Sequence, residues 1–462
     1  MDRWLNMMNQ NDKNQDFNRR DFLKKSGSVA TLMTMLGGVE LFAQTNTAPV
    51  AETKYEGPRM KLGVIGLGTW GRDLVTTLGQ IPEADIAAIC DTYPASLRRA
   101  AVAAPGAVQT PDYKTILDNK DIKAVIVATP THLHKEIVLA ALNAGKHVYC
   151  EAPLAHTIED ARAIAAAAKN TKEIIFQAGL QLRADPQRHF LLPFIRSGAL
   201  GQFVMARAQW HKKQSWRATS PKPEREKELN WRLDKSVSLG LAGEYGIHSI
   251  DQAAWFFNGQ PAAVTGFGSI TFWKDGRDVY DTVQSLIEFP SGVFMDYNAT
   301  LANSFDGDYE MLYGSDSAVM MRESKAWLFK EVDSPLLGWE VYARKETFYK
   351  ETGIALVANA SKAVVNTGKE DAKAAVLSTP IFYALKNFVL NSSELSSAKE
   401  DFIGMFGADD PKALTEHLSK MQRRPACGYD DAFKATVTAI KTNEAILHQQ
   451  RVALQREWYE LS

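Results

Sequence analysis

The sequence predicts an α/β protein in which an amino-terminal, doubly wound parallel sheet is followed by a carboxyl-terminal α/β domain with an open, mainly antiparallel sheet. Three observations predict this fold class. Short apolar strands alternate with helical segments between Met60 and Pro153. A glycine-rich turn comes directly after the first of these strands. From Gly201 onward, strand-like segments dominate and are separated by short turns, which is typical of antiparallel sheets.

The glycine-rich turn has the context of a dinucleotide site. A strand at residues 61–65 runs into the turn, and a second strand at residues 86–90 ends in Asp91, twenty residues after Gly71. Strand, glycine turn, helix, strand and acid in this order are the fingerprint of a Rossmann domain. The backbone N–H groups at such a helix N-terminus bind a pyrophosphate. We therefore predict that this group is held by Gly66, Leu67, Gly68, Thr69, Trp70 and Gly71.

Asp91 is predicted to accept hydrogen bonds from the adenosine ribose hydroxyls. A carboxylate at this point repels a 2′-phosphate, so NAD is favoured over NADP. Arg98 and Arg99 lie just downstream and weaken that preference. The alternative is a glycine turn that binds nothing.

Composition and charge exclude several classes of protein. The chain has 462 residues, of which 45% are hydrophobic and 23% are charged, which is ordinary for two or three globular domains. A net charge of −1 gives no indication of nucleic-acid binding or of an anionic membrane surface, and no apolar run is long enough to span a bilayer. The three cysteines are widely spaced, so neither a disulfide framework nor a metal site is expected. Cys90 and Cys150 end apolar runs and are expected to be buried.

The amino terminus resembles an export signal. Arg19 and Arg20 precede a modest apolar stretch from Val29 to Phe42. We interpret residues 1–44 as a twin-arginine signal peptide and residues 45–58 as a linker, which predicts a periplasmic protein. The alternative is a basic, disordered tail on a cytoplasmic protein. Because that pathway carries folded proteins and the periplasm has no free dinucleotide pool, an exported enzyme of this kind is expected to hold its cofactor tightly.

Two further strands end in polar segments that are expected to face the cofactor cleft. Residues 124–128 lead into Thr129-Pro130, and residues 147–150 lead into Glu151-Ala152-Pro153. The stretch ATPTHLHKEIVLAALNAGKHVYCEAP, followed later by GLQLRADP, NWRLD and GEYGIHSID, resembles the Gfo/Idh/MocA family of NAD(P)-dependent sugar and cyclitol oxidoreductases. The resemblance implies a Rossmann domain, here residues 59–182, and an α/β substrate and oligomerisation domain at 183–425. Residues 426–462 are predicted to form a carboxyl-terminal helix that packs back on the body.

The resemblance also implies site residues. Those matching the cofactor-lining positions of the family are Thr129, Pro130, His134, Glu151, Gln181, Trp231 and Arg232. Those expected to contact substrate are Arg183, Tyr245 and His248. One departure matters: the family's Glu-Lys-Pro lysine, its usual proton-transfer group, is Ala152 here. Since a secondary alcohol that loses hydride must also lose its O–H proton, another group has to accept it.

His248 is the predicted base. It lies in a stretch that matches the family's Asp-x-Gly-x-His-x-x-Asp signature, with Glu244 in place of the first acid. His248 and Asp251 are three positions apart, so on a helix they share a face. The catalytic candidates are therefore His248, Asp251 and Glu244, with Tyr245 and His211 as weaker alternatives for the base. The competing interpretation is a helix-start histidine satisfied by Asp251.

The second domain is predicted to contain strands at residues 203–210, 263–273, 283–289 and 292–301. Its open sheet predicts a homodimer or a homotetramer. Five tryptophans lie in this region, and only Trp231 is expected at the site; most of Trp210, Trp216, Trp255 and Trp273 are expected in the core or an interface. Helices are predicted at 373–376, 381–390 and 428–449, with a polar connection at 391–407.

Three functions remain open from the sequence. The first is an NAD(P)-dependent oxidoreductase that acts on a sugar, glycoside or cyclitol with a tightly bound cofactor. The second is an NAD-dependent glycoside hydrolase that oxidises a ring hydroxyl transiently and eliminates the aglycone. The third is a sugar-binding protein that lost catalysis together with the lysine.

Overall fold

The computed structural model describes residues 57–220, 222–323, 325–336, 345–348, 351–356, 379–407 and 409–461. The predicted signal peptide, most of the predicted linker and the predicted helix at 373–376 lie outside these residues. The predicted domain limits stay predictions.

The first sheet contains six parallel strands in the order β3-β2-β1-β4-β5-β6, which confirms the doubly wound architecture. Its strands are β1 (Met60–Ile65), β2 (Ala84–Cys90), β3 (Val108–Thr110), β4 (Ala124–Val127), β5 (His147–Cys150) and β6 (Phe176–Ala178). The helices between them are α1 (Thr69–Leu78), α2 (Pro94–Ala100), α3 (Lys114–Asp118), α4 (His134–Asn143) and α5 (Ile158–Asn170). All four residues of β4 and of β5 are buried, as expected of central strands covered on both faces. Cys90, Cys150 and Cys427 are buried and unpaired, which confirms the expectation for the first two.

The second sheet has ten strands in the order β14-β15-β13-β12-β11-β7-β10-β9-β8-β16. Among the described strands of this second sheet, only the pairing of β7 with β10 is parallel, so the prediction of a mainly antiparallel sheet is confirmed. The four predicted strands are β7 (Phe203–His211), β8 (Ala263–Ser269), β9 (Thr282–Glu288) and β10 (Phe294–Thr300). The strands not predicted are β11 (Asp308–Gly314), β12 (Ser317–Arg322), β13 (Lys325–Lys330), β14 (Lys345–Phe348), β15 (Glu351–Leu356) and β16 (Arg451–Ala453).

The remaining helices follow the first sheet in the chain. They are α6 (Pro186–Phe194), α7 (Pro223–Leu229), α8 (Gly240–Glu244), α9 (Gly246–Phe257), α10 (Pro380–Phe406), α11 (Pro411–Ser419) and α12 (Tyr429–His448). Short 3₁₀ turns cover Thr131–Leu133, Gln181–Ala184, Trp231–Leu233 and Arg456–Tyr459. A π-helical segment, Ile195–Ala199, follows α6. α12 contacts β6 of the first sheet and the helix α5 beside it. It also contacts β8 of the second sheet and the helix α9, so it connects the parts of the protein built on the two sheets.

The predicted polar connection at residues 391–407 is wrong, because α10 continues without interruption from Pro380 to Phe406. Two of the polar residues in its middle, Asn391 and Ser392, are buried. The Asn391 amide donates to the Arg424 carbonyl at 3.2 Å and accepts from the Arg424 N–H at 2.9 Å, so its polarity is satisfied inside the protein. α10 packs on the first sheet, where Phe388 meets Tyr149 with ring centroids 5.7 Å apart.

One face of the second sheet carries exposed apolar side chains. Met205, Leu286 and Phe294 are 38%, 40% and 42% exposed on adjacent strands. The predicted homodimer or homotetramer stays a prediction.

Within the described residues, no helix is both long and apolar enough to cross a membrane, and no group of three or more His, Cys, Asp or Glu side chains could hold a metal ion.

Two phenylalanines of α10, Phe388 and Phe406, provide a test of its packing. Phe388 is fully buried, whereas Phe406 is 70% exposed. We expect Phe388→Ala to lower the free energy of unfolding by about 3–5 kcal/mol, because it removes a buried ring and leaves a cavity. Phe406→Ala, the control on the same helix, should cost no more than about 0.5 kcal/mol. Urea unfolding measures both, and equal effects would contradict the packing of α10 on the sheet.

Candidate active site

The glycine turn between β1 and α1 leaves an open space above its second glycine. Gly66 has φ of +94°, and a Cβ there would lie 2.6 Å from the carbonyl group of Ala128. A Cβ at Gly71 would overlap the carbonyl oxygen of Gly66, so the helix can approach the strand only with a glycine at this position. A Cβ at Gly68 would meet no atom within 4 Å. The turn therefore has tight packing at its two ends and room for a ligand in its middle.

The start of α1 suits an anion. Gly68 is its N-cap, no side chain caps it, and no acidic residue lies in its first turn. Thr69 and Trp70, the first two helical residues, are exposed. Free N–H groups and the positive end of the helix dipole favour a phosphate here. These residues thus fit the pyrophosphate of a dinucleotide, as the sequence predicts.

Asp91 is held beside the turn. Its Oδ2 accepts from the Leu67 N–H at 2.8 Å, and its Oδ1 accepts from the Tyr93 N–H at 2.7 Å. Each carboxylate oxygen retains a lone pair for a ribose hydroxyl. The arginine that faces Asp91 is Arg225, whose Nη2 lies 3.7 Å from Oδ1. Arg98 and Arg99, which weaken the preference for NAD in the sequence, are both exposed on α2.

The His134 side chain lies between the segments that follow β4 and β5. Its Nε2 lies 2.9 Å from the Thr129 carbonyl oxygen and its Nδ1 lies 3.0 Å from that of Pro153. The side chain is 1% exposed, and burial lowers its pKa to about 4. His134 therefore positions Thr129 and Pro130, and both of its nitrogens already face protein atoms.

Glu151 is a buried acid at the end of β5. Burial raises its pKa to about 7, although the Trp70 side chain and the Ala152 backbone N–H oppose this by stabilising the carboxylate. Its Oε1 has no hydrogen-bond partner in the described part of the chain. Gly179 lies against it, and a side chain there would collide with the carboxyl group. Glu151 thus packs closely against Gly179 and keeps a buried carboxylate oxygen without a hydrogen-bond partner among the described residues.

Two histidines that were not predicted as site residues follow β4 and β5. His132 follows β4, and His156 lies four residues after Ala152. Their ring centroids are 6.2 Å apart, and the His132 ring lies 6.0 Å from that of Trp231. Burial, as the largest cause, lowers the pKa of both, so both are neutral at neutral pH. The sequence contained a usable sign, since both follow strands that end in the cleft.

Glu244 joins the two halves of the cleft. Its carboxylate accepts from the Thr131 hydroxyl at 3.3 Å, and Arg232 Nε lies 3.9 Å from it. The side chain is buried, and burial raises its pKa. Arg232 also lies over the Trp231 ring at 5.0 Å. The predicted site residues Glu244, Trp231 and Arg232 are therefore brought together with the end of β4.

Tyr245 is part of an aromatic stack. Its ring stacks on Trp210 with centroids 3.9 Å apart and on Trp216 with centroids 5.7 Å apart. Trp216 has φ of +64°, an uncommon conformation for a bulky residue and one often associated with functional sites. His211, the weaker alternative for the base, has both ring nitrogens within 3.2 Å of oxygen atoms of Phe305 and Asn298. This disfavours His211 as a proton acceptor.

His248 keeps a free nitrogen. Burial lowers its pKa to about 4, so the ring is neutral near pH 7. Its Nδ1 is buried and has no hydrogen-bond partner among the described residues. A neutral, unpartnered imidazole nitrogen can accept a proton from a ligand.

Asp251 does not serve His248, in contrast to the expectation from their spacing. Both carboxylate oxygens accept from Arg183, at 2.9 Å from Nε and 2.8 Å from Nη2. Arg183 Nη1 lies 3.3 Å from Asp431, and its guanidinium covers the Trp255 ring at 4.9 Å. The guanidinium is thus engaged by two acids, which argues against the predicted substrate contact of Arg183 and against a catalytic contact of Asp251. Asp431 belongs to α12, a helix that the sequence predicts but whose contact with Arg183 it does not indicate.

Several predicted site residues share one property, an unpaired buried polar atom. Buried polar atoms are usually hydrogen-bonded, and a cluster without partners indicates a ligand that is absent from the structure. On the described segments that line the cleft, the buried side-chain atoms without a hydrogen-bond partner are Thr129 Oγ1, His132 Nδ1, Glu151 Oε1, His156 Nδ1, Gln181 Oε1, Trp216 Nε1, Arg232 Nε and His248 Nδ1. This set fits a polar ligand with many hydroxyl or amide groups beside the nicotinamide half of a dinucleotide.

Gly68 and Gly71 allow binding and folding to be separated. Gly68 has φ of −59°, so Gly68→Ala should fold with a loss of no more than about 1 kcal/mol, yet its methyl group should fill the ligand space and weaken dinucleotide binding about tenfold or more. Gly71→Ala should instead destabilise the protein by about 1–3 kcal/mol, because its Cβ overlaps the Gly66 carbonyl. Thermal unfolding and titration with NADH, followed by fluorescence, measure the two effects. Equal binding by Gly68→Ala and the parent protein would refute this assignment of the turn.

Comparisons with known proteins agree with this architecture. The family described as "Oxidoreductase family, NAD-binding Rossmann fold" matches residues 60–179, and the "GFO/IDH/MocA C-terminal domain" matches residues 193–319. Together they cover more than half of the chain. The levoglucosan dehydrogenase of Pseudarthrobacter phenanthrenivorans is 32% identical over 213 residues, which are 41% of this chain and 52% of that protein. The inositol 2-dehydrogenase 2 of Saccharopolyspora erythraea is 29% identical over 238 residues, 51% of this chain and 65% of that protein. The chain thus matches between half and two thirds of the length of these relatives.

Solved structures show the same fold. A levoglucosan dehydrogenase in complex with NADH and L-sorbose superposes with a TM-score of 0.62 at 20% identity, over 86% of this chain and 100% of that one. An oxidoreductase domain protein from Kribbella flavida gives a TM-score of 0.63 at 19% identity, over 87% of this chain and 100% of that one. The chain belongs to the Gfo/Idh/MocA family of oxidoreductases with an NAD-binding Rossmann domain.

Proposed function

We propose that this protein is an NAD-dependent oxidoreductase that acts on a hydroxyl group of a sugar, glycoside or cyclitol and holds its cofactor tightly. The observation that carries the proposal is the set of unpaired, buried polar atoms at the strand ends next to the open glycine turn. The relatives named for levoglucosan and inositol support a small polyhydroxylated substrate. The Asp91 carboxylate beside the turn supports NAD rather than NADP.

His248 is the proposed proton acceptor. When hydride leaves the carbon of a secondary alcohol for the cofactor, the O–H proton must go to a base, and Ala152 cannot take it. Neutral His248, with its unpartnered Nδ1, can. Glu244 is proposed to act indirectly, because it holds Arg232 and Thr131 in place.

A second candidate function is favoured by the unpartnered Nδ1 atoms of His132, His156 and His248, because it needs a base for a C–H proton as well as one for an O–H proton. In a redox glycoside hydrolase, a ring hydroxyl, typically at C3, is first oxidised to a ketone, which acidifies the C2 proton. A base removes that proton, the C2–H electron pair forms a C1–C2 double bond, and the aglycone leaves from C1 with the electrons of its bond. Water then adds at C1 and a proton at C2, and the stored hydride reduces the ketone. The first step of this reaction releases the O–H proton and the elimination releases the C2 proton, so both protons must go to bases other than Ala152.

We also propose that the protein is exported by the twin-arginine pathway. The observation behind this is Arg19-Arg20 before the apolar stretch at residues 29–42. Replacing both arginines with lysine keeps the charge and removes the motif, and should leave the full-length chain in the cytoplasm. Cell fractionation checks this, and export of the double-lysine variant would contradict it.

His248→Ala tests the proposed chemistry. We expect it to lower the turnover of a responsive sugar by about 10²–10⁴-fold, the usual contribution of a general base, while the dinucleotide stays bound. His448→Ala, at an exposed position near the end of α12, is the matched control and should leave turnover unchanged. The measurement is the absorbance of reduced nicotinamide after the purified protein is mixed with a panel of sugars, cyclitols and aryl glycosides.

The same panel separates the candidate functions. Reduced nicotinamide that accumulates with a sugar supports the oxidoreductase, whereas release of the aryl group without added cofactor supports the hydrolase. Binding of a sugar with neither response would indicate the non-catalytic binding protein. Unchanged turnover in His248→Ala would remove His248 as the base.

A further inference from the structure

The segment between β7 and α8 reaches from the second sheet to the adenosine side of the glycine turn. Within it, Arg225 on α7 places its guanidinium over the Tyr93 ring at 4.9 Å, and its Nη2 lies 3.7 Å from Asp91 Oδ1. Tyr93 is itself fixed by its N–H bond to Asp91. The part of the chain that follows the first sheet therefore contributes an arginine at the point where the Rossmann domain is predicted to hold the adenosine ribose.

The position of α7 is set by contacts within residues 217–230 and by the ion pair of Arg217 with Asp275. The Asn230 side chain, just after α7, bonds to both the carbonyl and the N–H of Ala218 at 2.8 and 2.7 Å and to the Glu226 carbonyl at 2.8 Å. Arg217 lies 3.3 Å from Glu226 and 3.6 Å from Asp275. These bonds fix α7 against the loop before β9, so Arg225 does not need the Rossmann domain to hold it in place.

Arg225 keeps an unused donor at this point. Its side chain is only 19% exposed, and its Nε is buried without a partner among the described residues. Its other contact is an ion pair with Glu228 on the same helix. An unsatisfied guanidinium N–H next to a carboxylate that retains free lone pairs matches a ligand with both hydroxyl and phosphate oxygens.

We propose that Arg225 is a cofactor-binding residue that covers the adenosine half of the dinucleotide, so that the cofactor leaves only when α7 moves away from Asp91 and Tyr93. The inference deepens the proposed function, on which it rests for the presence of a dinucleotide between Gly66 and Asp91. The position of Arg225 gives a physical reason for tight retention of the cofactor, because the guanidinium, which lies over the Tyr93 ring and beside Asp91, would cover the adenosine site.

The test compares Arg225→Ala with Lys227→Ala, an exposed cation on the same helix. NADH is bound to each purified full-length protein and then displaced by excess NAD, and the dissociation rate is followed by NADH fluorescence. We expect Arg225→Ala to release NADH about tenfold faster or more, since tenfold corresponds to about 1.4 kcal/mol, while Lys227→Ala matches the parent protein. Arg225→Lys, which keeps the charge without the planar group, should fall between them. Unfolding temperatures of the cofactor-free proteins verify that the variants are folded.

Equal release rates for Arg225→Ala and Lys227→Ala would overturn the proposal. The same series with NADPH identifies what Arg225 contacts: faster release of NADPH alone would assign it to a 2′-phosphate and would also overturn a cover for NAD. Faster NADH release combined with no response to any sugar would leave this inference standing and overturn the proposed function. A protein that binds neither dinucleotide would overturn both.

Discussion

The geometry of the cleft depends on one helix, α12, which contacts both sheets. Thr436 Oγ1 accepts from the N–H of Leu154 at 3.1 Å, only three residues after Glu151. The Cys427 carbonyl, just before the helix, accepts from the N–H of Ala178 in β6 at 2.9 Å. On its other side, Asp431 lies 3.3 Å from Arg183, which binds Asp251 in the helix that carries His248. The two walls of the cleft are therefore held by the same element, and their relative position is set by packing and hydrogen bonds along it.

Burial gives this cleft an unusual charge balance. It raises the pKa values of Glu151 and Glu244, and it lowers those of His132, His156 and His248. Acids and bases are thus both shifted toward their neutral forms, which is the expected effect of a low-dielectric site. Neutral imidazoles can accept protons, and a partly protonated Glu151 can donate a hydrogen bond near neutral pH. A polyhydroxylated ligand, which offers both donors and acceptors without charge, is complementary to such a site.

The Rossmann domain was predictable because its signals are local. A glycine turn, a strand and an acid at fixed spacing identify Gly66 to Gly71 and Asp91, and the structure places Asp91 next to Leu67. The contacts that were missed are not local. Arg225 meets Asp91 across more than one hundred residues, and Asp251 pairs with Arg183 rather than with the histidine three positions away. Likewise, the polar middle of α10 reads as a loop until Asn391 is seen to bond to the backbone of Arg424. A single sequence contains no information about such partners.

Ala152 at the end of β5 explains why the relative position of the two walls matters in the proposed reaction. In the proposed reaction the hydride goes to a cofactor held by the first sheet, whereas the proton goes to His248, which α9 of the second half carries. A lysine at the end of β5 would keep both transfers on the Rossmann side. With Ala152 in its place, both transfers occur only when the two halves are held at a fixed separation, since proton transfer requires hydrogen-bond distance. The bonds that α12 makes to Leu154 and Arg183 provide that constraint, so the proposed chemistry depends on how this helix holds the two walls.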